Sequence, residues 1–324
     1  MIRALDHRGG ALTLVDLPPA PLRPGSLRLR VHTSGINRAD LAQRAGAYPP
    51  PPGASPILGL EAAGEVIEVA PDVRGWAPGD RAAALLTGGG YQSELVVDAR
   101  HALPVPASAT WAEAGAFVEV FATAWLNLQD EGGLRGRVGA SVLLHAGGSG
   151  VGTAALQLCR LLGHSTFVTA GSASKIARCR ALGADAGWDR HQGPWLDAVL
   201  AWRPGGVDMI LDPVGAAYLD QDIQALAADG RLVLIGLLSG RKAELDLGRL
   251  LMRRLRVVGS TLRSRSDEAK AALIADLRAH VLPAWASGEL QPVVDRIVPV
   301  ADAESAHAHM ASNEGFGAMV LAWP

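Results

Sequence analysis

Six strand-like runs alternating with helices in the middle of the chain, an apolar strand that runs into a glycine-rich turn, and an N-terminal third of short strands broken by proline and glycine predict an α/β fold. Its two parts are a doubly wound parallel sheet and a second, β-rich domain. Residues 1–120 read as strands at 26–33, 62–70, 80–85 and 91–97 among others, interrupted by Pro18-Pro19, the run from Pro49 to Gly53, and Gly88-Gly89-Gly90. Between 120 and 262 the strands are 141–146, 164–169, 184–188, 207–212, 231–236 and 255–260. The tail adds a helix over 267–287, a strand near Arg296 to Val300, a helix at 302–312 and a last strand from Ala318 to Trp323. These pieces are too few for a core of their own and are expected to return to the first domain. The expected division is 1–120 with 263–324, and 121–262.

The 324 residues exceed a usual single core. With 49% hydrophobic and 19% charged residues and a net charge of −2, the composition is that of a globular protein and gives no electrostatic reason to bind nucleic acid or an anionic membrane. Apolar runs such as 231–238 are far too short to span a bilayer. The opening Met-Ile-Arg-Ala-Leu-Asp lacks the apolar region of a signal peptide, so a cytoplasmic location is expected. The two cysteines, Cys159 and Cys179, fall in successive predicted helices and read as small core residues rather than a disulfide or metal pair.

Residues 141–152 carry the strongest local signal. Ser-Val-Leu-Leu-His-Ala leads into Gly-Gly-Ser-Gly-Val-Gly and a helix from about Gly150 to Leu162. The first N–H groups of that helix lack internal partners and its dipole is positive there, which suits a pyrophosphate. In G-x-G-x-x-G spacing the matching positions are Gly147, Ser149 and Gly152, so serine replaces the middle glycine. A second strand follows at the distance of a βαβ unit. After it stands Thr169-Ala170-Gly171-Ser172-Ala173-Ser174-Lys175, with no carboxylate for a ribose 2′-hydroxyl but with small hydroxyls and a cation suited to a 2′-phosphate. Lys175 is one of only three lysines, and the pattern favours NADPH over NADH. An ordinary solvated lysine on a helix's first turn is the alternative.

Three further stretches carry a family likeness: Ser34-Gly35-Ile36-Asn37-Arg38-Ala39-Asp40-Leu41, Gly46-Ala47-Tyr48 with its proline run to Gly53, and Leu58-Gly59-Leu60-Glu61-Ala62-Ala63-Gly64. With the glycine turn, Thr169 to Ser172, Leu262-Arg263-Ser264-Arg265 and the ending Gly317 to Leu321, the chain resembles the zinc-independent quinone oxidoreductases of the medium-chain dehydrogenase/reductases, and within them the p53-inducible quinone oxidoreductase subgroup. The resemblance implies a GroES-like β-rich catalytic domain, a Rossmann domain for NADPH, a cleft between them, a small-molecule quinone or enone acceptor, and a homodimer. Zinc-dependent relatives carry a cysteine near Asn37 and a histidine in a Gly-His-Glu run; here Asn37 and Gly59-Leu60-Glu61 stand instead, so no catalytic metal is expected. An acceptor already electrophilic enough to take hydride is then required.

The resemblance sets Asn37 beside the nicotinamide ribose, where an N-cap is the plain reading. It sets Tyr48 against nicotinamide and acceptor, its phenol able to donate a hydrogen bond or its ring to pack on a planar substrate. Thr123 is expected near the nicotinamide, Ser149, Gly150, Val151 and Gly152 at the phosphates, Gly171, Ser172 and Lys175 at the 2′-phosphate, and Gly236 and Leu237 at the nicotinamide amide. Ser149 either serves a phosphate or the acceptor, or only satisfies its turn. Arg190 departs from the subgroup's usual tyrosine and is either a direct 2′-phosphate contact or a surface arginine. Ala318 replaces a lysine common in the family ending. Glu61 and Asp212 read as structural. The function implied is NADPH-dependent hydride transfer to quinones or related conjugated carbonyls, with Tyr48 and Ser149 as catalytic candidates. Alternatives are an enal or enoyl-thioester reductase on the same scaffold and a non-catalytic NADPH-binding sensor or structural protein.

Overall fold

The computed structural model describes residues 1–324. In chain order its strands are β1 (Ile2–Asp6), β2 (Thr13–Leu17), β3 (Ser26–Ile36), β4 (Glu61–Val69), β5 (Arg81–Leu85), β6 (Glu94–Asp98), β7 (Ala102–Pro104), β8 (Ser141–Leu144), β9 (Ser165–Ala170), β10 (Ala186–Asp189), β11 (Val207–Asp212), β12 (Leu226–Leu234), β13 (Arg256–Gly259), β14 (Val294–Pro299) and β15 (Ala318–Ala322). The chain divides into two compact units, Met1–Ala122 with Leu262–Pro324, and Thr123–Thr261. No helix is long and apolar enough to cross a membrane.

In the first unit a seven-stranded sheet runs β14-β15-β3-β4-β5-β7, with β6 also paired to β3, and β1 and β2 form a separate hairpin. The tail joins this sheet because β15 pairs antiparallel with β3, Leu321 opposite Ser34. Leu27, Leu29, Val31, Val66, Leu95 and Leu321 fill its core. Strands β3 and β4 approach so closely at Gly64 that a side chain there would run into the Arg30 carbonyl, so only glycine fits. One expectation fails here: the helix predicted over 267–287 is two helices, Asp267–His280 and Leu282–Ser287. Pro283 in the first turn of the second has no N–H to give and disfavours continuation from the residues before it, so the apolar period runs on while the backbone breaks.

In the second unit six parallel strands run β10-β9-β8-β11-β12-β13. That order, outward from β8 to one edge and then from β11 to the other, is the doubly wound Rossmann arrangement, and ligands of such sheets sit at the carboxyl ends where the order reverses. The central strand β8 is buried on both faces, with every residue of it buried, while the edge strand β13 is mostly exposed. Leu143, Phe167, Val199, Ile210 and Leu232 form the unit's core. Cys159 and Cys179 are buried and unbonded to one another.

Candidate functional site

The glycine turn leaves β8 at the point of reversal. Ala146 takes φ 51°, a conformation costly for a residue with a Cβ, and starts the turn. At Gly152 a Cβ would stand 2.5 Å from the Ala146 carbonyl oxygen and 2.8 Å from Gly147, which fixes glycine where helix Gly150–Leu161 packs on the turn. Ser149 caps this helix: its Oγ accepts the Gly152 N–H at 3.0 Å. The hydroxyl proton stays available to donate, and the N–H groups of Gly150 and Val151, ahead of the first intrahelical bond, face outward at the helix's positive end.

The next two strand ends supply cations. Beyond β9, Ser172 caps helix Ala173–Ala181 and accepts the Lys175 N–H at 3.2 Å. Beyond β10, the exposed Arg190 lays its guanidinium over Gly171, with Nη2 3.4 Å from the position a Gly171 Cβ would take. Gly171, Ser172, Lys175 and Arg190 therefore come together. After β12, Gly236 lies so close to the Pro213 carbonyl that a Cβ would stand 2.7 Å from it, and Leu237 beside it is 50% exposed. Thr123 is partly buried in helix Val118–Leu126, its carbonyl accepting from Asn127 Nδ2 at 2.7 Å.

Beneath the glycine turn lies a buried polar cluster that the sequence did not flag. His145 joins Thr169 Oγ1 through Nδ1 at 2.9 Å and Asp222 Oδ1 through Nε2 at 2.8 Å. Burial pushes the His145 imidazole down to about 4, keeping it neutral, and burial with the nearby Asp222 raises Asp212 to about 6. Asp212 accepts from the Val214 and Gly215 N–H groups, which shapes the loop facing Gly236.

In the first unit Asn37 precedes helix Arg38–Arg44. Its backbone N–H goes to Asp40 Oδ2 at 2.8 Å, and its side-chain amide turns away to donate to Glu61 Oε1 at 2.9 Å. Glu61 Oε2 takes the Glu119 N–H at 3.0 Å, and the carboxylate lies against Gly35, where any side chain would collide with it. Burial raises Glu61 to about 7 and Asp40 to about 6, and it holds Glu119 well above the usual carboxylate range. No three His, Cys, Asp or Glu side chains converge as a metal-binding group. Tyr48 is partly buried, and Arg263 sits over its ring with the guanidinium carbon 5.4 Å from the centroid. Arg263, Lys270 and Glu119 are not among the site residues expected from the sequence. Glu119 did leave a signal, a lone carboxylate inside Phe117-Val118-Glu119-Val120-Phe121.

Comparison with known proteins matches residues 23–107 to the alcohol dehydrogenase GroES-like domain and residues 150–276 to the family described as zinc-binding dehydrogenase. The human synaptic vesicle membrane protein VAT-1 homolog is 31% identical over 318 residues, covering 94% of this chain and 80% of that protein. Polyketide synthase GfsB of Streptomyces halstedii is 38% identical over 242 residues, but the match takes in 74% of this chain and spans only 4% of that protein's length. Among solved structures, the quinone oxidoreductase of Thermus thermophilus, also determined in complex with NADPH, superposes with TM-score 0.83 at 33% identity and covers 99% of both chains. An NAD-dependent alcohol dehydrogenase superposes with TM-score 0.86 at 29% identity, covering 99% of this chain and 100% of that one. A GroES-like unit followed by a doubly wound nucleotide-type unit, with a relative alike along nearly the whole chain, places this protein in the medium-chain dehydrogenase/reductase superfamily.

Proposed function

We propose that the chain is an NADPH-dependent reductase that passes hydride to quinones or related conjugated carbonyls without zinc. The observation that carries this reading is the Arg190 guanidinium lying over Gly171, beside Ser172 and the helix turn that bears Lys175, in a segment without a carboxylate. Such a donor set suits a 2′-phosphate and leaves a bare ribose diol without its usual acceptor. The similar oxidoreductase solved with NADPH supports it. Ser149, Gly150, Val151 and Gly152 would hold the pyrophosphate, and Asn37, Thr123, Gly236 and Leu237 the nicotinamide end. The cofactor, when bound, supplies hydride. The protein's part is orientation, exclusion of water and hydrogen bonding: the Tyr48 phenol would donate to the acceptor oxygen as charge develops there.

The zinc-free reading rests on Asn37, whose amide is committed to Glu61, in the place where a thiolate would serve a metal. We further propose a homodimer in the cytoplasm. A second reading, reduction of enoyl thioesters, is favoured by the likeness to a polyketide synthase. Loss of reduced-nicotinamide absorbance across quinones, enals and enoyl thioesters separates these. Turnover of quinones in preference to thioesters supports the first, the reverse order the second, and turnover of none, with tight NADPH binding, a sensor.

A further inference from the structure

Arg263 is the second residue of the segment that returns to the first unit at Leu262, and it is only 4% exposed. Buried donors must be met, and one helix and two loops of that unit meet these. Nε donates to the Thr87 carbonyl at 2.8 Å, Nη2 to Gln43 Oε1 at 2.7 Å, and Nη1 to the Tyr48 carbonyl at 3.4 Å. The same guanidinium covers the Tyr48 ring within cation–π range. Thr87 is held a second time, its hydroxyl accepting from the 3% exposed Lys270 at 2.7 Å. These partners are neutral oxygens, so the charge on Arg263 is not cancelled by them and its field reaches the ring.

We propose that Arg263 is the positioning residue for Tyr48: it locks the loop that carries the tyrosine and sets a cation against its ring, readying the phenol O–H as a hydrogen-bond donor. The catalytic consequence rests on the reading of Tyr48 as facing the acceptor; the positioning itself does not. Lysine could not replace it, because a point charge cannot satisfy acceptors on a helix and two loops as a planar fork does. Burial raises the Tyr48 phenol, Arg263 pulls it down, and Glu119 is the other charge acting on it, pushing it up. Burial lowers Arg263 itself, opposed by Tyr48, Asp40 and Glu119, which each push it up.

The chain has only three tyrosines, Tyr48, Tyr91 and Tyr218, so NMR of ring-labelled tyrosine in the full-length protein follows each phenol, with Tyr48→Phe assigning its signal. Arg263→Gln is expected to move the Tyr48 titration to higher pH, Arg263→Lys and Gln43→Ala to move it less, with NADPH affinity unchanged. For a good quinone, kcat/KM should fall about threefold or more in Arg263→Gln, and Arg263→Lys should recover only part of it. An unmoved Tyr48 titration in both Arg263→Gln and Gln43→Ala overturns the positioning role whatever the substrate, and if Arg263→Gln does not fold, Gln43→Ala decides alone. A moved titration with full turnover on every acceptor upholds the positioning role and overturns the acceptor reading of Tyr48 instead.

Discussion

Lys175 gives its backbone N–H to the Ser172 hydroxyl oxygen at 3.2 Å, which plants the lysine on the first turn of the helix that the serine caps. The lysine's backbone and the serine hydroxyl are thus fixed at one strand end, next to Arg190 over Gly171. NADPH is expected to bind about tenfold more tightly than NADH, about 1.4 kcal/mol. Lys175→Ala should weaken NADPH and leave NADH nearly unchanged, because a lost 2′-phosphate contact is immaterial to a ligand without that group. Equal or tighter NADH binding by the wild type, measured by fluorescence titration, would sink the assignment.

Much of this strand end's local structure is legible in the sequence, because glycine spacing, capping serines and apolar runs act over a few residues. Gly152 is glycine for the close helix packing that its spacing implied. What escaped notice is non-local. Arg263 reaches Gln43 across 220 positions and Thr87 across 176, and no local period marks either contact. The His145 and Asp222 pair is likewise made by the sheet, which brings the end of β8 and a helix 77 positions later together. The single helix expected over 267–287 shows the opposite failure, a side-chain period outliving its backbone at Pro283.

Stability should depend on pH through Glu61. Its carboxyl rises from 4.5 to about 7 in the folded state, chiefly by burial. Between those values the native protein holds a proton that the unfolded chain has lost, so this residue's contribution falls as pH rises through the window, by at most about 3 kcal/mol. Asp40, raised to about 6, acts in the same direction, whereas the neutral buried His145 and His307, lowered to about 4, favour the fold as pH rises to their unfolded value. The comparison is therefore with Glu61→Gln. Gln faces one of the two N–H donors badly and lowers stability by a constant amount, but its Tm should fall less between about pH 5 and pH 7.5 than the wild type's. Parallel Tm curves would show that Glu61 does not titrate in this range.

Chelation tests the metal-free reading. With the Asn37 amide bound to Glu61 at 2.9 Å, prolonged dialysis against a strong chelator is expected to leave turnover intact, and elemental analysis to find far less than one zinc per chain. A stoichiometric zinc whose removal abolishes activity and whose return restores it would refute the mechanism.

Tyr48 tests the acceptor site most directly. Its ring lies under Arg263 and its carbonyl is tied to the same guanidinium, so the side chain stands on a braced loop. Tyr48→Phe keeps the ring and the brace and loses only the hydroxyl. A hydrogen bond to a neutral acceptor oxygen contributes about 0.5–1.5 kcal/mol, so kcat/KM for a good quinone should fall roughly threefold to tenfold with NADPH affinity little changed. Tyr48→Ala should cost more, since it also removes the surface on which a planar acceptor packs and leaves Arg263 facing a void. A loss seen in kcat and kcat/KM alike would mean that the hydroxyl acts mainly in the transition state, and a loss confined to KM that it holds the ground state equally well. Wild-type turnover in Tyr48→Ala, with cofactor binding measured separately and unchanged, would show that Tyr48 is neither donor nor wall and that the acceptor binds elsewhere.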